Sequence, residues 1–545
     1  MEFKTSLLRT VTLASLATIV PMTRAANVDQ VTLDSGIVQG MPGKVPGIRT
    51  FEGIPFAAPP VGNLRWREPQ PVAHWDGVRM ATAFGHRSIQ GSMYSDMAFR
   101  DRGLSEDCLY LNVWTPAKSA SEHLPVMVWI FGGGFQAGAT SEARQDGVHL
   151  AAKGVVVVSM NYRLGIFGFF SHPELTAESG RGSSGNYGIM DQTAAMRWVQ
   201  RNIAAFGGDP GNVTVFGESA GSYSVSIHMA SEPSRGLFQK AIGESGSLVG
   251  TRKIAASVTP LAEAEQAGVD FEQAVGAKSL ADLRAMPGKA LLKAVLGDKK
   301  FKAGVAIDGY VLRKSLHETY SRGEQARVPL LAGWNADESR VYAVLGSKRP
   351  TAKSFEKAVR TEYLELADEV LKYYPSGTDE EAVRSAGDLA SDRFIINSAW
   401  TWIDYQRALS DPPVYRYQFD RAVPVAPWMV INGVKATAVD IGAPHAAEIP
   451  YVFGALGALK YIKWQPEDLR LSDQMATYWS NFAKTGNPNG AGLPVWPKFT
   501  EAGNYQVMHL DAVSQVLPEM NRARHAFWDQ PTLKRPVVNP VGAGS

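Results

Sequence analysis

Cysteine is nearly absent from this chain: Cys108 stands alone among 545 residues. One thiol cannot form an intramolecular disulfide, and no CxxC, paired-cysteine or HExxH spacing offers a metal site. No metal and no cofactor are therefore expected. An excess of charge of one sign is also missing. The 55 basic and 53 acidic residues include Lys4, Arg9, Arg24 and Glu2 in the first 25 positions, so the remainder carries 52 of each. That balance excludes the basic stripe with which nucleic-acid-binding proteins meet phosphate, and no nucleic-acid partner is expected. Low-complexity tracts and internal repeats are absent too, which sets aside disordered and repeat architectures.

Long apolar runs are scarce. The mostly apolar stretch Val11 to Val20 follows Lys4 and Arg9 and is followed by Thr23-Arg24-Ala25. A basic start, a short apolar centre and small residues before a cut are the marks of a secretory leader, and a run of about ten residues is roughly half of a bilayer span. Residues 1–25 are thus expected to be a signal peptide and residues 26–545 the working chain, secreted or periplasmic, with no membrane span after cleavage. With 45% apolar and 20% charged residues, that chain has the composition of a globular enzyme.

What is present is an alternation of buried strands and helices. Pro125 to Phe131 and Val155 to Met160 are apolar and β-branched enough to be strands covered on both faces. Gly188 to Phe206 has apolar residues at helical spacing, and Val213 to Phe216 returns to strand. Strand, helix, strand in that order is a crossover unit of a parallel sheet. Helical blocks follow over Ile254 to Leu296, Ser354 to Tyr374 and Glu380 to Leu409, with strands resuming at Pro329, Pro413 and Tyr505 and a helix over Ser472 to Lys484. The blocks read as insertions over one sheet. The long stretch Arg79 to Leu104 lacks periodicity and reads as a long loop of the kind that often borders a site, with packing the favoured role for its apolar residues.

The strand at Val213 runs into Gly217-Glu218-Ser219-Ala220-Gly221. A serine on a sharp strand-to-helix turn, flanked by glycines, presents its hydroxyl as a nucleophile. It needs a base, an acid and donors for an oxyanion. Gly132-Gly133-Gly134 follows the strand at Pro125, and successive backbone N–H groups without side chains can converge on one point. In this kind of site the acid and then the histidine follow the serine along the chain. That order removes His74, His86, His123, His149 and His172 of the ten histidines, and His228 and His317 precede the strand whose loop should carry the acid. His509 sits within a strand and His525 in a helix-like run, whereas His445 lies in a loop of glycine and proline and is the expected base. Asp337 and Glu338 stand side by side beyond the strand Pro329 to Gly333, and either carboxylate could orient the imidazole.

These stretches, with Phe51-Glu52-Gly53-Ile54-Pro55-Phe56-Ala57, Ser105-Glu106-Asp107-Cys108-Leu109-Tyr110-Leu111-Asn112, Asn161-Tyr162-Arg163 and Phe206 to Pro210, resemble the type-B carboxylesterases, the group of para-nitrobenzyl esterases and cholinesterases. The resemblance spans nearly the whole chain. It implies an α/β-hydrolase fold, a large mostly parallel sheet flanked by helices with helical insertions over the site. It also implies a serine esterase acting on small-molecule carboxylic esters through an acyl-enzyme, with Ser219 as nucleophile, Glu338 as acid and His445 as base. Gly133, Gly134 and Ala220 would supply the oxyanion N–H groups. The same machinery permits amide hydrolysis, and a non-catalytic binding relative would be expected to have lost triad positions. Two departures are visible: Ser88 stands where family members often have the cysteine that pairs with Cys108, and Phe131 precedes the glycines where many have His or Tyr.

Overall fold

The computed structural model describes residues 29–94, 96–250, 258–346, 349–431 and 434–529; the leader expected over residues 1–25 lies outside them. Eleven strands form one central sheet. The first five are β1 (Met41–Pro42), β2 (Arg49–Pro55), β3 (Tyr110–Thr115), β4 (Leu124–Ile130) and β5 (Val156–Met160). The others are β6 (Gly208–Glu218), β7 (Lys240–Glu244), β8 (Leu330–Asn335), β9 (Val414–Phe419), β10 (Gln506–Leu510) and β11 (Gln515–Pro518). Their spatial order is β11-β10-β9-β8-β7-β6-β4-β5-β3-β2-β1. Pairing is parallel from β5 through β4 and β6 to β10, and antiparallel at both margins. This is the α/β-hydrolase fold.

Burial explains the composition of the middle strands. Every residue of β5, β7 and β8 is buried, so their middles are apolar or small, with polar residues confined mostly to strand ends such as Lys240, Glu244 and Asn335. Helix α1 (Tyr187–Asn202) carries the crossover from β5 to β6, and α2 (Ala220–Ala230) follows β6 directly. The parallel strands all end at the same edge, so the loops after β4, β6 and β8 meet there. That edge is where open α/β sheets place their sites.

Several boundaries differ from the sequence expectation, each for a local reason. The block from Ser354 divides into α3 (Ala352–Tyr363) and α4 (Ala367–Tyr373), because Leu364 takes a positive φ of 48°. The next block divides into α5 (Asp379–Ser391) and α6 (Asn397–Ala408), separated by a π-helical turn at Asp392–Ile396. The late helix, α7 (Pro466–Thr485), begins six residues before the expected Ser472, since Gln465 and Asp468 form a reciprocal cap and Pro466 fills the first position. The final strand is β11, beyond the one expected at Tyr505 to Leu510. The strands near the N-terminus, Gln30–Leu33 and Gly36–Gln39, pair antiparallel and belong to a separate sheet with Val78–Met80.

Most buried apolar residues form one core around the sheet. A second, smaller core lies between α3, α4 and α5, where Phe355, Val359, Val370 and Leu389 pack with Phe527 and Trp528 of the C-terminal helix α8 (Arg522–Asp529). Among the described residues, no helix is long and apolar enough to cross a membrane.

Candidate active site

Ser219 sits at the junction of β6 and α2 with φ 54° and ψ −120°, a conformation L-residues avoid. The surroundings impose it. A Cβ on Gly221 would lie 1.9 Å from the carbonyl oxygen of Ile130 at the end of β4, and one on Gly217 would lie 2.6 Å from the same oxygen. Both flanking glycines are therefore required by the close approach of β4, and the turn they permit lifts the serine above the sheet edge. The Ser219 N–H donates to the Glu244 carbonyl at 2.9 Å, which ties the turn to β7.

The loop after β4 brings Gly133 and Gly134 alongside, both with positive φ. Gly132 packs so tightly that a Cβ there would meet Ser219 Cβ at 2.9 Å. Among the described residues, the N–H groups of Gly133, Gly134 and Ala220 have no hydrogen-bond acceptor within the chain. Behind them Phe131 stacks on Tyr162 with ring centroids 4.4 Å apart, and the Tyr162 hydroxyl donates to the Phe131 carbonyl at 2.8 Å. The Tyr162 hydroxyl thus supports the backbone of the glycine loop from behind.

His445 arrives from the loop between β9 and α7. Its Nε2 lies 2.9 Å from Ser219 Oγ and its Nδ1 lies 2.5 Å from Glu338 Oε2. The other Glu338 oxygen accepts the Asn335 N–H at 2.7 Å, so the acid loop turns back on the end of β8. The neighbouring Asp337 points elsewhere: its Oδ2 accepts the Ala443 N–H at 2.8 Å, and its own N–H donates to the Ala443 carbonyl at 3.0 Å. Asp337 therefore clips the backbone of the histidine loop and leaves the ring to Glu338. Phe394, carried by the π-helical turn, meets the His445 ring edge to face at 5.0 Å.

The site is crowded with buried carboxyl groups that sequence reasoning did not single out. Glu218, the residue before the serine, is 3% exposed and places Oε1 3.2 Å from His445 Nε2. Burial pushes its carboxyl well above the ordinary range, and the same holds for Glu244. Burial and the charge of Glu338 likewise push Glu448 up, to about 7. Burial of the His445 ring opposes its protonation, but the carboxylates of Glu218, Glu338 and Glu448 outweigh burial and raise it above the ordinary histidine value. A position inside the G-x-S-x-G motif was the only sequence signal for Glu218. The Arg79 to Leu104 loop also borders the site: Met97 Cε and the Tyr94 hydroxyl lie 3.6 Å from where Cβ atoms of Gly133 and Gly134 would stand. Bordering the site is one of the two roles that the sequence leaves open for this stretch, packing being the favoured one.

Elsewhere, His172, Glu174 and Glu272 approach one another closely enough to suggest a cation. The His172 ring caps a helix by accepting the Glu174 N–H at Nδ1, which leaves the proton on Nε2, facing Glu272 at 3.2 Å. A proton where a metal would need a lone pair leaves His172 as a helix cap, with no hydrogen bond between its Nε2 and Glu272 among the described residues. Cys108 is buried, and burial pushes its thiol up while the neighbouring Ser88 hydroxyl acts against that shift.

A serine on a strained turn, an imidazole bridging it to a carboxylate, and N–H groups of a glycine loop, all on the carboxyl edge of a parallel sheet, have the arrangement of an α/β hydrolase. The chain belongs to the carboxylesterase family, whose model matches residues 27–528, and it is a carboxylic ester hydrolase. It is 36% identical to the fumonisin B1 esterase of Sphingopyxis macrogoltabida over 89% of this chain and 88% of that one. It is also 36% identical to the human cocaine esterase, over 88% of this chain and 87% of the other. A solved structure of PNB esterase superposes with a TM-score of 0.75 at 32% identity, covering 93% of this chain and all of that one.

Proposed function

We propose that the protein hydrolyses small-molecule carboxylic esters through an acyl-enzyme on Ser219, with His445 as general base and acid and Glu338 as the carboxylate that orients it. The single observation that carries this reading is the continuous contact Ser219 Oγ to His445 Nε2 at 2.9 Å and His445 Nδ1 to Glu338 Oε2 at 2.5 Å. Ser219 Oγ attacks the ester carbonyl carbon while its proton passes to Nε2, and the negative carbonyl oxygen faces the N–H groups of Gly133, Gly134 and Ala220. Collapse breaks the bond to the alcohol, which leaves with the proton from Nε2. Water then attacks the acyl carbon, giving its proton to Nε2, and Ser219 departs and recovers that proton as the carboxylic acid is released. No step calls for a metal or a cofactor.

The leader-like stretch Val11 to Val20 supports a secreted or periplasmic location for residues 26–545. The test of the chemistry is Ser219→Ala, which removes one hydroxyl. Ester turnover should be abolished with the unfolding temperature unchanged, and an organophosphate should label the parent at Ser219 but not the variant. Undiminished turnover by the variant would end the assignment.

A further inference from the structure

The acid and the base of this site come from loops more than a hundred residues apart in sequence, and their separation has to be held to a few tenths of an ångström. Glu338 follows β8 by three residues, and the turn that carries His445 is tied to the acid loop by an isolated bridge between Asp337 and Pro444. One fully buried side chain spans the gap. Asn335, the last residue of β8, donates from Nδ2 to the Pro444 carbonyl at 2.8 Å and to Glu448 Oε2 at 2.6 Å. Pro444 immediately precedes His445, and Glu448 follows it by three residues. The backbone N–H of the same Asn335 holds Glu338 Oε1 at 2.7 Å. Glu448 in turn accepts from the Ser245 hydroxyl at 3.1 Å, which anchors the assembly to the end of β7.

We infer that Asn335 is a positioning residue for the esterase reaction: its backbone sets the carboxylate of Glu338 while its amide sets both flanks of the loop that carries His445. The inference rests on the Ser219, His445 and Glu338 reading above. The chemistry of the side chain matters more than its size. Both Nδ2 hydrogens meet acceptors, and Oδ1 has no partner among the described residues. The position therefore needs two donors and no charge. An ionised aspartate of the same shape would turn acceptors toward the Pro444 carbonyl and Glu448, pushing the histidine loop away from the acid.

The test compares Asn335→Asp, Glu448→Gln and the double variant with the parent. Asn335→Asp should lose kcat on the order of 100-fold, the scale of a small misplacement of catalytic groups, with KM changed by less than about threefold. Glu448→Gln alone should cost less than Asn335→Asp, roughly tenfold, since its amide oxygen still accepts from Asn335 while its charge beside His445 is lost. In the double variant the Gln amide can donate to the aspartate, restoring one of two links, and kcat should recover roughly tenfold over Asn335→Asp. A purely structural role predicts a lower unfolding temperature with parent-like kcat in the folded protein and no such recovery. Either result would overturn the inference. If Asn335→Asp does not fold, Asn335→Ser carries the test: it keeps one donor without charge and should lose roughly tenfold in kcat, and a parent-like kcat there counts equally against the role. Organophosphate labelling separates the two possible failures. An unlabelled parent overturns the catalytic reading, whereas a labelled parent with parent-like kcat in the Asn335 variants overturns the positioning role alone.

Discussion

Two regions of this molecule bury their side chains for opposite reasons. Around Ser219 the interior holds Glu218, Glu244, Glu338 and Glu448, an imidazole among them, and a serine in a disfavoured backbone conformation. In the satellite core of α3, α4, α5 and α8, the buried residues are Phe355, Val359, Val370, Leu389, Phe527 and Trp528, on helices opened by Thr351 and Thr378 caps. The satellite gains stability from every group it buries. The catalytic heart loses stability through desolvated carboxyl groups, and the large apolar sheet beneath it compensates. Substitution should therefore separate the two: changes in the heart alter rate more than stability, and changes in the satellite do the reverse.

The largest contrast lies within the heart itself. Glu338→Gln should lower kcat/KM by about 10⁴-fold, as amidation of a triad carboxylate does. Asp337→Asn should cost less than about tenfold, because an amide oxygen can still accept the Ala443 N–H. Steady-state kinetics on both variants decide the matter, and the reverse ranking would show that the acid is Asp337. On the satellite side, Phe355→Ala should reduce unfolding free energy by about 3–5 kcal/mol in urea melts, leaving kcat/KM of the folded protein unchanged. A rate loss there as large as in the heart would erase the distinction.

Two smaller effects sharpen it. Ser88 stands near enough to the buried Cys108 thiol to act on it electrostatically, so Ser88→Cys should oxidise to a disulfide that closes the loop bordering the site. Loss of the free thiol and a gain of about 3 kcal/mol on oxidation would be expected for a loop of this length. Finally, the neutral His445 that accepts the Ser219 proton should exist only above a raised imidazole value, so activity falls as pH drops through a midpoint above the ordinary ~6.5. Glu218→Gln takes away the carboxyl that lies 3.2 Å from Nε2 and should move that midpoint down in proportion to the fraction of this buried carboxyl that is ionised. A midpoint at or below the ordinary value in the parent would mean that burial outweighs the carboxylates.

The order of strands and helices, the serine turn, the glycine loop and the candidate histidine were legible in the sequence, because each rests on local rules. Apolar runs of five to seven residues mark strands buried on both faces, glycine marks close backbone approach, and chain order sorts the histidines. The pair Asp337 and Glu338 shows where such rules stop. Both are carboxylates in the same loop, and only the position of the Ala443 backbone and the His445 ring gives each its separate partner. Resemblance to a family chose Glu338, whereas the residue types by themselves left both open. The start of α7 was misplaced because a capping glutamine carries a weaker signal than Ser or Asp.

Composition, periodicity and spacing determined that this chain is an α/β enzyme with a nucleophile turn, since those features act between residues near in sequence. Only the tertiary structure decided that Glu218, Glu448 and Asn335 surround the imidazole. Their effect on it depends on distances of about 3 Å between strand ends and loops, and on the low polarity created when the sheet and its insertions close over them. A local motif can name the atoms that react. The proton affinity and placement of those atoms arise from packing among segments that the linear order keeps apart.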